Sequence, residues 1–166
     1  MEVIFRPIIE ADWSQVVEIY TQGINTGNAT FETEIPDWDK WNSGHIQTCR
    51  IVAVNEIEII GWAALVPVST RKVYSGVAEV SIYISNEYQG LNIGSKLLKQ
   101  LIEESEKNGF WTLQAGIFPE NKASIKIHQN NGFRIVGYRE KIGQMKGVWR
   151  DTVLLERRSK ILYASQ

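Results

Sequence analysis

The chain is poor in the residues that build disulfide, zinc and nucleic-acid-binding proteins. Of its 166 residues one is cysteine and two are histidine, so no internal disulfide can form. Cys49, His45 and His128 do not stand at the spacing of a zinc site, and we expect no bound metal. The formal net charge is -1, so no overall positive field attracts nucleic acid or an anionic membrane. The sequence therefore disfavours binding to nucleic acid or to an anionic membrane, although it leaves open a local basic patch on the surface.

Long apolar segments are missing as well. No window approaches the roughly twenty apolar residues of a membrane-spanning helix, and the first residues lack the basic and apolar pattern of a signal peptide. We therefore expect a cytoplasmic protein. The content of 43% hydrophobic and 22% charged residues is typical of a folded globular chain whose length suits one domain. We predict a single domain over residues 1–158 and a tail over residues 159–166.

Hydrophobic periodicity predicts strands and helices in a definite order. The predicted strands cover residues 3–8, 50–54, 57–66, 77–85, 111–118, 133–142 and 148–155. The predicted helices cover residues 12–24, 36–48, 93–108 and 121–131. This order indicates the α/β class, with a mixed sheet that carries helices on both faces.

A glycine-containing segment follows the strand over residues 77–85 and precedes the helix that begins at Ile93. Glycines at the start of a helix let the backbone turn tightly, so that free N–H groups and the positive end of the helix dipole converge on an anion such as a phosphate. Taken alone, the segment also fits an ordinary strand-to-helix turn. It matches neither the Walker A nor the dinucleotide-binding glycine pattern, so nucleoside triphosphates and dinucleotides are poor candidates.

The segment Gln89-Gly90-Leu91-Asn92-Ile93-Gly94 resembles the Q/R-x-x-G-x-G/A signature of the GNAT superfamily of acetyl-CoA-dependent N-acetyltransferases. Asn92 stands where the family usually has Gly, and Asn tolerates the left-handed conformation better than most residues. Residues 121–128, followed by Asn131-Gly132-Phe133, are similar to the cofactor-side helix of the family. The resemblance covers residues 3–158. It implies a central, mostly antiparallel mixed sheet and acetyl-CoA as co-substrate.

Within the superfamily, three segments resemble the phosphinothricin and methionine sulfoximine acetyltransferases. They are residues 28–34, residues 71–79 and residues 147–151, and His128 also stands where that subfamily has His. The resemblance implies transfer of acetyl to the amino group of a small amino acid or analogue, by direct attack in a ternary complex. It also implies a homodimer.

The resemblance assigns residues to both substrates. At acetyl-CoA it implies Ile82, Tyr83, Ile84, Gln89, Gly90, Leu91, Asn92, Ile93, Gly94, Ser95, Asn121 and Ser124. At the amine substrate it implies Phe31, Glu32, Arg71 and Tyr74. Arg71 offers a planar double donor for a carboxylate or phosphinate, and a solvated loop arginine is the alternative. Gly94 is expected to leave room for a phosphate, so that Gly94→Val should weaken acetyl-CoA binding far more than stability.

Glu79 and His128 are the candidate catalytic residues. An amine attacks a thioester only in its neutral form, so a group must receive the ammonium proton. Glu79, on the polar face of its strand, is the predicted base, and a structural carboxylate that meets Arg or Lys is the alternative. His128 could hold the substrate, relay a proton, protonate the leaving thiolate, or be hydrogen-bonded at a helix end.

Other functions stay open. The chain could be a non-catalytic acyl-CoA-binding module, which the departure at Asn92 permits, or a GNAT enzyme for a peptide or polyamine. A cysteine relay is the weaker enzymatic alternative, because Cys49 stands outside every motif. Lys96 and Lys122 are unranked candidates for the terminal phosphate of coenzyme A.

Overall fold

Seven strands and four helices follow one another in the predicted order in the computed structural model, which describes residues 1–163. The strands are β1 Val3–Pro7, β2 Ile51–Asn55, β3 Glu58–Pro67, β4 Val77–Ile84, β5 Thr112–Ile117, β6 Arg134–Met145 and β7 Val148–Arg158. The helices are α1 Trp13–Asn25, α2 Trp38–Gly44, α3 Ile93–Lys107 and α4 Lys122–Asn130. The order of elements predicted from hydrophobic periodicity is therefore confirmed.

All strands join one sheet in the order β1-β2-β3-β4-β5-β7-β6. Neighbours are antiparallel except for β4 and β5, which are parallel, so the predicted mixed and mostly antiparallel sheet is confirmed. The parallel pair joins only Val77–Glu79 of β4 to residues 112–114 of β5. Beyond that point each strand continues without the other, and a gap opens within the sheet.

Helices cover both faces of the sheet, as predicted. On one face Val16 and Ile19 of α1 pack with Trp62 of β3 in a hydrophobic cluster that also holds Trp41 of α2. On the other face Leu97, Leu98 and Leu101 of α3 are fully buried in a second cluster, where α3 packs on β2, β3 and β4 and on α4. Burial of each such leucine stabilises the fold by about 1.5–3 kcal/mol. No helix within residues 1–163 is both long and apolar enough to cross a membrane.

The predicted extent of α2, to residue 48, is wrong, because the helix ends at Gly44. The next residue, His45, has an extended backbone with φ −109° and ψ 151°. The buried guanidinium of Arg50 donates to the carbonyls of His45 at 3.1 Å and Ile46 at 2.9 Å, and these contacts hold the chain in a turn toward β2. Cys49 lies in this turn with φ 54° and is buried in the core.

Strands β6 and β7 are longer than predicted and form a hairpin. A two-residue turn at Lys146 and Gly147, with φ of 49° and 78°, lets Met145 pair with Val148. Both turn residues are left-handed, which is the backbone that matches the twist of a tight hairpin. The pairing therefore extends through Gly143 and Gln144, beyond the predicted end of the strand at residue 142.

The last strand ends at Arg158, where the predicted domain ends. Ser159 is nevertheless buried, and its N–H donates to the carbonyl of Trp111 at 2.7 Å. The first tail residue is therefore tied to the sheet. The division into a domain over 1–158 and a tail over 159–166 stays a prediction, and residues 164–166 of that tail lie outside the described residues.

Candidate active site

A cavity of about 330 Å³ lies where β4 and β5 separate. Its lining includes β4 from Glu79 to Tyr83, β5 and the residue after it from Ala115 to Phe118, and the loop from Ala29 to Phe31. The remaining lining residues are Asn121, Ser124, His128, Arg139, Ile142 and Thr152. The structure thus brings together seven predicted site residues: Phe31, Glu79, Ile82, Tyr83, Asn121, Ser124 and His128. Along the gap the facing strand edges have no strand between them, so their backbone groups are available to an extended ligand.

Glu79 lies in the last residue pair before the strands separate, opposite Gln114 of β5. Burial raises the pKa of its carboxyl, and hydrogen bonds from Gln114 and the Gly116 N–H, together with the charge of Arg139, oppose that rise. A carboxylate with a raised pKa takes a proton from an ammonium group more readily than an ordinary carboxylate does. The position therefore suits a base in the cavity.

His128 is 1% exposed on α4, and its ring has a defined hydrogen-bonding state. Its Nδ1 lies 2.7 Å from the carbonyl oxygen of Ser124, which can only accept, so Nδ1 carries the proton and Nε2 is an acceptor. Nε2 is buried, and no described residue hydrogen-bonds to it. Burial also lowers the pKa of the imidazole. The neutral ring can accept a hydrogen bond or a proton at Nε2 but has no proton there for a leaving thiolate, so the structure does not favour that predicted role.

The glycine-containing segment joins β4 to α3 in a left-handed backbone. Gly90 has φ 77°, and Asn92, the residue that precedes α3, has φ 62° and ψ 15°. Asn92 therefore adopts the conformation expected of it. Residues 89–92 are exposed, so their backbone amides are accessible to an anion just before α3 begins.

Gly94 has a packing role that the motif did not indicate. A Cβ at this position would lie 3.0 Å from Cδ1 of Ile127 and 3.6 Å from Cγ1 of Ile84. The first turn of α3 therefore packs closely on α4 and β4 because Gly94 has no side chain. The expectation that Gly94→Val acts mainly on acetyl-CoA binding did not take this contact into account. A valine here should also lower the stability of the fold, so the substitution does not distinguish an effect on binding from an effect on folding.

Arg150 of β7 holds the loop that covers the cavity. Its Nη1 donates to the carbonyl of Gly27 at 2.8 Å, and its Nη2 donates to Oδ1 of Asn28 at 2.9 Å. The guanidinium carbon lies 4.0 Å from the ring centre of Phe118. The sequence singled out the segments that contain Asn28 and Arg150 but did not predict this contact between them.

The same loop is tied to α4 and β6. Nδ2 of Asn121 donates to the carbonyl of Asn28 at 3.2 Å, and its Oδ1 caps α4 by accepting from the N–H of Ser124. The ring of Phe31 packs edge-on against Phe118, with ring centres 4.8 Å apart. It also lies so close to Gly143 that a Cβ there would approach within 2.9 Å. The loop is therefore fixed against three elements around the cavity.

Comparison with known proteins identifies the family of the chain. Residues 13–133 match the acetyltransferase (GNAT) family. The chain belongs to the GNAT family of acetyltransferases. The resemblance inferred from the sequence is thereby confirmed.

Named relatives of this acetyltransferase act on phosphinothricin and methionine sulfoximine. It is 29% identical to the phosphinothricin N-acetyltransferase of Streptomyces viridochromogenes over 92% of this chain and 85% of that protein. It is 27% identical to the L-methionine sulfoximine/L-methionine sulfone acetyltransferase of Salmonella typhimurium over 89% of each. The phosphinothricin acetyltransferase of Sinorhizobium meliloti, solved with acetyl-CoA, matches with a TM-score of 0.87 at 28% identity, over 100% of this chain and 93% of that chain. The agreement extends over the whole fold.

Three residues predicted at the amine substrate do not line the cavity of this acetyltransferase. Glu32, Arg71 and Tyr74 are exposed, and the guanidinium of Arg71 lies over the Tyr74 ring at 5.4 Å from its centre. Their contact with the substrate stays a prediction.

Two residues predicted at acetyl-CoA are engaged within the protein. Ile93 is buried in the core. The hydroxyl of Ser95 accepts a hydrogen bond from Nδ2 of Asn131 at 2.9 Å. Contacts from these positions to acetyl-CoA stay predictions.

Proposed function

We propose that this acetyltransferase transfers the acetyl group of acetyl-CoA to the amino group of a small amino acid, or of an analogue of the phosphinothricin or methionine sulfoximine type. The amine attacks directly in a ternary complex, with Glu79 as the general base. The observation that carries the proposal is a carboxyl of raised pKa in the cavity at the separation of β4 and β5. The names of the relatives support this class of substrate.

Acetyl-CoA is the acetyl donor, and its thioester supplies the electrophilic carbon. The unpaired edge of β4 at Ile82, Tyr83 and Ile84 suits an extended arm with amide groups, which can pair with backbone as an added strand would. The left-handed segment over residues 89–94 and the start of α3 suit its phosphates. Asn121, which caps α4, and Ser124 in its first turn flank the cavity. These features fit the donor.

Residues of the chain then have distinct tasks. Glu79 receives the proton of the substrate ammonium, directly or through water, and so frees the attacking lone pair. Burial raises the pKa of Tyr83, so its hydroxyl stays protonated beside the cavity. Phe31 and its loop cover the site and limit the access of water. Nε2 of His128 accepts a hydrogen bond, which helps to orient a bound group.

Release of free thiol from acetyl-CoA tests the proposed reaction. The protein is incubated with acetyl-CoA and a panel containing the common amino acids, methionine sulfoximine, phosphinothricin, a polyamine and a short peptide. We expect thiol release that depends on an amino acid or one of the two analogues. Release with the polyamine or peptide alone would change the substrate class, and acetyl-CoA binding without any release would indicate a non-catalytic module.

Replacement of Cys49 by Ala is expected to leave kcat nearly unchanged. Cys49 does not line the catalytic cavity but a separate one, together with Phe5 and Gln100, and burial raises the pKa of its thiol, which disfavours the nucleophilic thiolate. Turnover at saturating substrates measures the effect, and thermal unfolding controls for folding. A folded Cys49→Ala protein without activity would contradict direct transfer and favour a cysteine relay.

We further propose that the acetyltransferase is a homodimer joined through the hairpin of β6 and β7. Strand β6 is at the edge of the sheet, and the hairpin exposes a group of large apolar side chains: Ile135, Val136, Tyr138, Ile142, Val148 and Trp149. Such patches and open edges mark surfaces that associate.

Light scattering after gel filtration tests the proposed dimer and should give twice the 18.9 kDa of the chain. Trp149→Lys should give the monomer mass, and a monomeric wild type would refute the proposal.

A further inference from the structure

The positively charged side chain of Arg139 lines the catalytic cavity and has no role in the reaction proposed above. It lies on β6 opposite Thr152 of β7, and both residues line the cavity together with Glu79. No carboxylate within residues 1–163 forms an ion pair with its guanidinium. An unpaired guanidinium beside a carboxylate base gives the cavity two opposite charges.

An irregularity in β6 that follows Arg139 brings Ile142 to the same cavity. The pairing with β7 is interrupted between Arg139 and Gly143, and within the interruption Lys141 has φ 47° and donates its N–H to Oδ1 of Asp151 at 2.7 Å. In a regular strand every second side chain shares a face, whereas here Arg139 and Ile142, three positions apart, line the same cavity. Bulges beside active sites commonly redirect side chains in this way.

We propose that Arg139 binds the carboxylate of the acceptor amino acid, while Glu79 receives the proton of its amino group. An α-amino acid carries these two groups on one carbon atom, which matches a cavity with one cation and one carboxylate. A guanidinium presents paired donors that suit a carboxylate, and Phe31 and Ile142 provide apolar wall for the side chain. The inference rests on the proposed function and narrows its substrates to amines that carry an acidic group, because a polyamine would bring a second cation to Arg139.

The test compares L-methionine sulfoximine with its α-carboxamide, which keeps the amine and side chain but lacks the acid. Wild type, Arg139→Gln and Arg134→Gln are each assayed on the high-pH plateau of their own pH–rate profile, so that a change in the ionisation of Glu79 does not enter the comparison. Arg134 is the matched control, because it lies on the same strand, is exposed and pairs with Glu156 outside the cavity. Calorimetric binding of each acceptor in the presence of coenzyme A gives a readout independent of turnover.

We expect wild type and Arg134→Gln to prefer the acid over the carboxamide. In Arg139→Gln, kcat/KM for the acid should fall about tenfold to a hundredfold, mainly through KM, with little change for the carboxamide, which corresponds to the loss of one charge-assisted contact. Equal use of both acceptors by wild type would overturn the proposal while acetyl transfer stands. So would an acid preference that persists in Arg139→Gln and disappears in Arg71→Gln. If wild type acetylates neither acceptor nor any other amino acid, the proposed function itself fails, and the carboxylate subsite fails with it.

Discussion

Glu79→Gln is expected to lower kcat by about a hundredfold or more, the usual scale of general-base catalysis, while acetyl-CoA binding is retained. Glutamine keeps the shape of the side chain next to Gln114 but cannot accept the ammonium proton. Steady-state kinetics measure the loss, and calorimetry with acetyl-CoA checks that the donor site is intact.

The pH dependence of Glu79→Gln distinguishes a base from a structural carboxylate. As the pH is lowered, wild-type activity should fall when Glu79 becomes protonated. Because the pKa of Glu79 is raised, this fall should occur at a higher pH than for a glutamate with the ordinary pKa of about 4.3. The deficit of the variant should shrink at high pH, where the amine is already deprotonated in solution. Parallel profiles for the two proteins would remove Glu79 from the mechanism and leave His128 as the next candidate.

Stability provides the control for Glu79→Gln. A carboxyl whose pKa is raised by folding favours the folded state below its unfolded pKa, and this contribution is lost as pH rises through the folded pKa. At a pH above the folded pKa this contribution is absent, so there the Tm of the variant should equal or exceed that of wild type. A clearly lower Tm would indicate that Glu79 has a structural role.

Asn92→Val is expected to raise the KM and Kd for acetyl-CoA about tenfold or more, whereas Asn92→Gly should bind at least as tightly as wild type. At φ 62° a β-branched side chain is strained by about 1–3 kcal/mol, and the loop relieves that strain by leaving the conformation that directs its amides at a phosphate. Glycine adopts this conformation without steric cost.

Calorimetry with acetyl-CoA and with free coenzyme A measures both Asn92 variants, and thermal unfolding confirms that they fold. The residue lies on the exposed part of the segment, so the comparison avoids the packing contact that complicates Gly94. Wild-type affinity in a folded Asn92→Val protein would show that the segment is only a turn between β4 and α3.

Local patterns predicted the elements, but long-range contacts fixed several of their details. The alternation in β4 placed Glu79 on the cavity face, and the tolerance of Asn for positive φ foresaw the conformation of Asn92. The end of α2 depends on Arg50, whose hydrogen bonds to the preceding turn are not a feature of helix propensity. Arg150 lies 122 residues from Asn28, and no periodicity relates them.

The candidate site was incomplete for a similar reason. Strand alternation assigns side chains to faces only while pairing is regular, and the bulge after Arg139 changes the assignment within β6. Gly143 likewise lies beyond the predicted end of the strand at residue 142, and its missing side chain makes room for the ring of Phe31. Both features arise when β6 meets β7 and the loop before α2, and so they depend on the tertiary structure.

The short pairing of β4 with β5 also affects the tendency of this enzyme to aggregate. Beyond Glu79 and Gln114 the two strands present unpaired edges in the middle of the sheet, and unpaired edges are where polypeptides add to one another and begin to aggregate. A substrate arm that lies along β4 hides the same edge from other chains. If the arm of acetyl-CoA lies along β4 as proposed, storage of the protein with coenzyme A is expected to slow its precipitation.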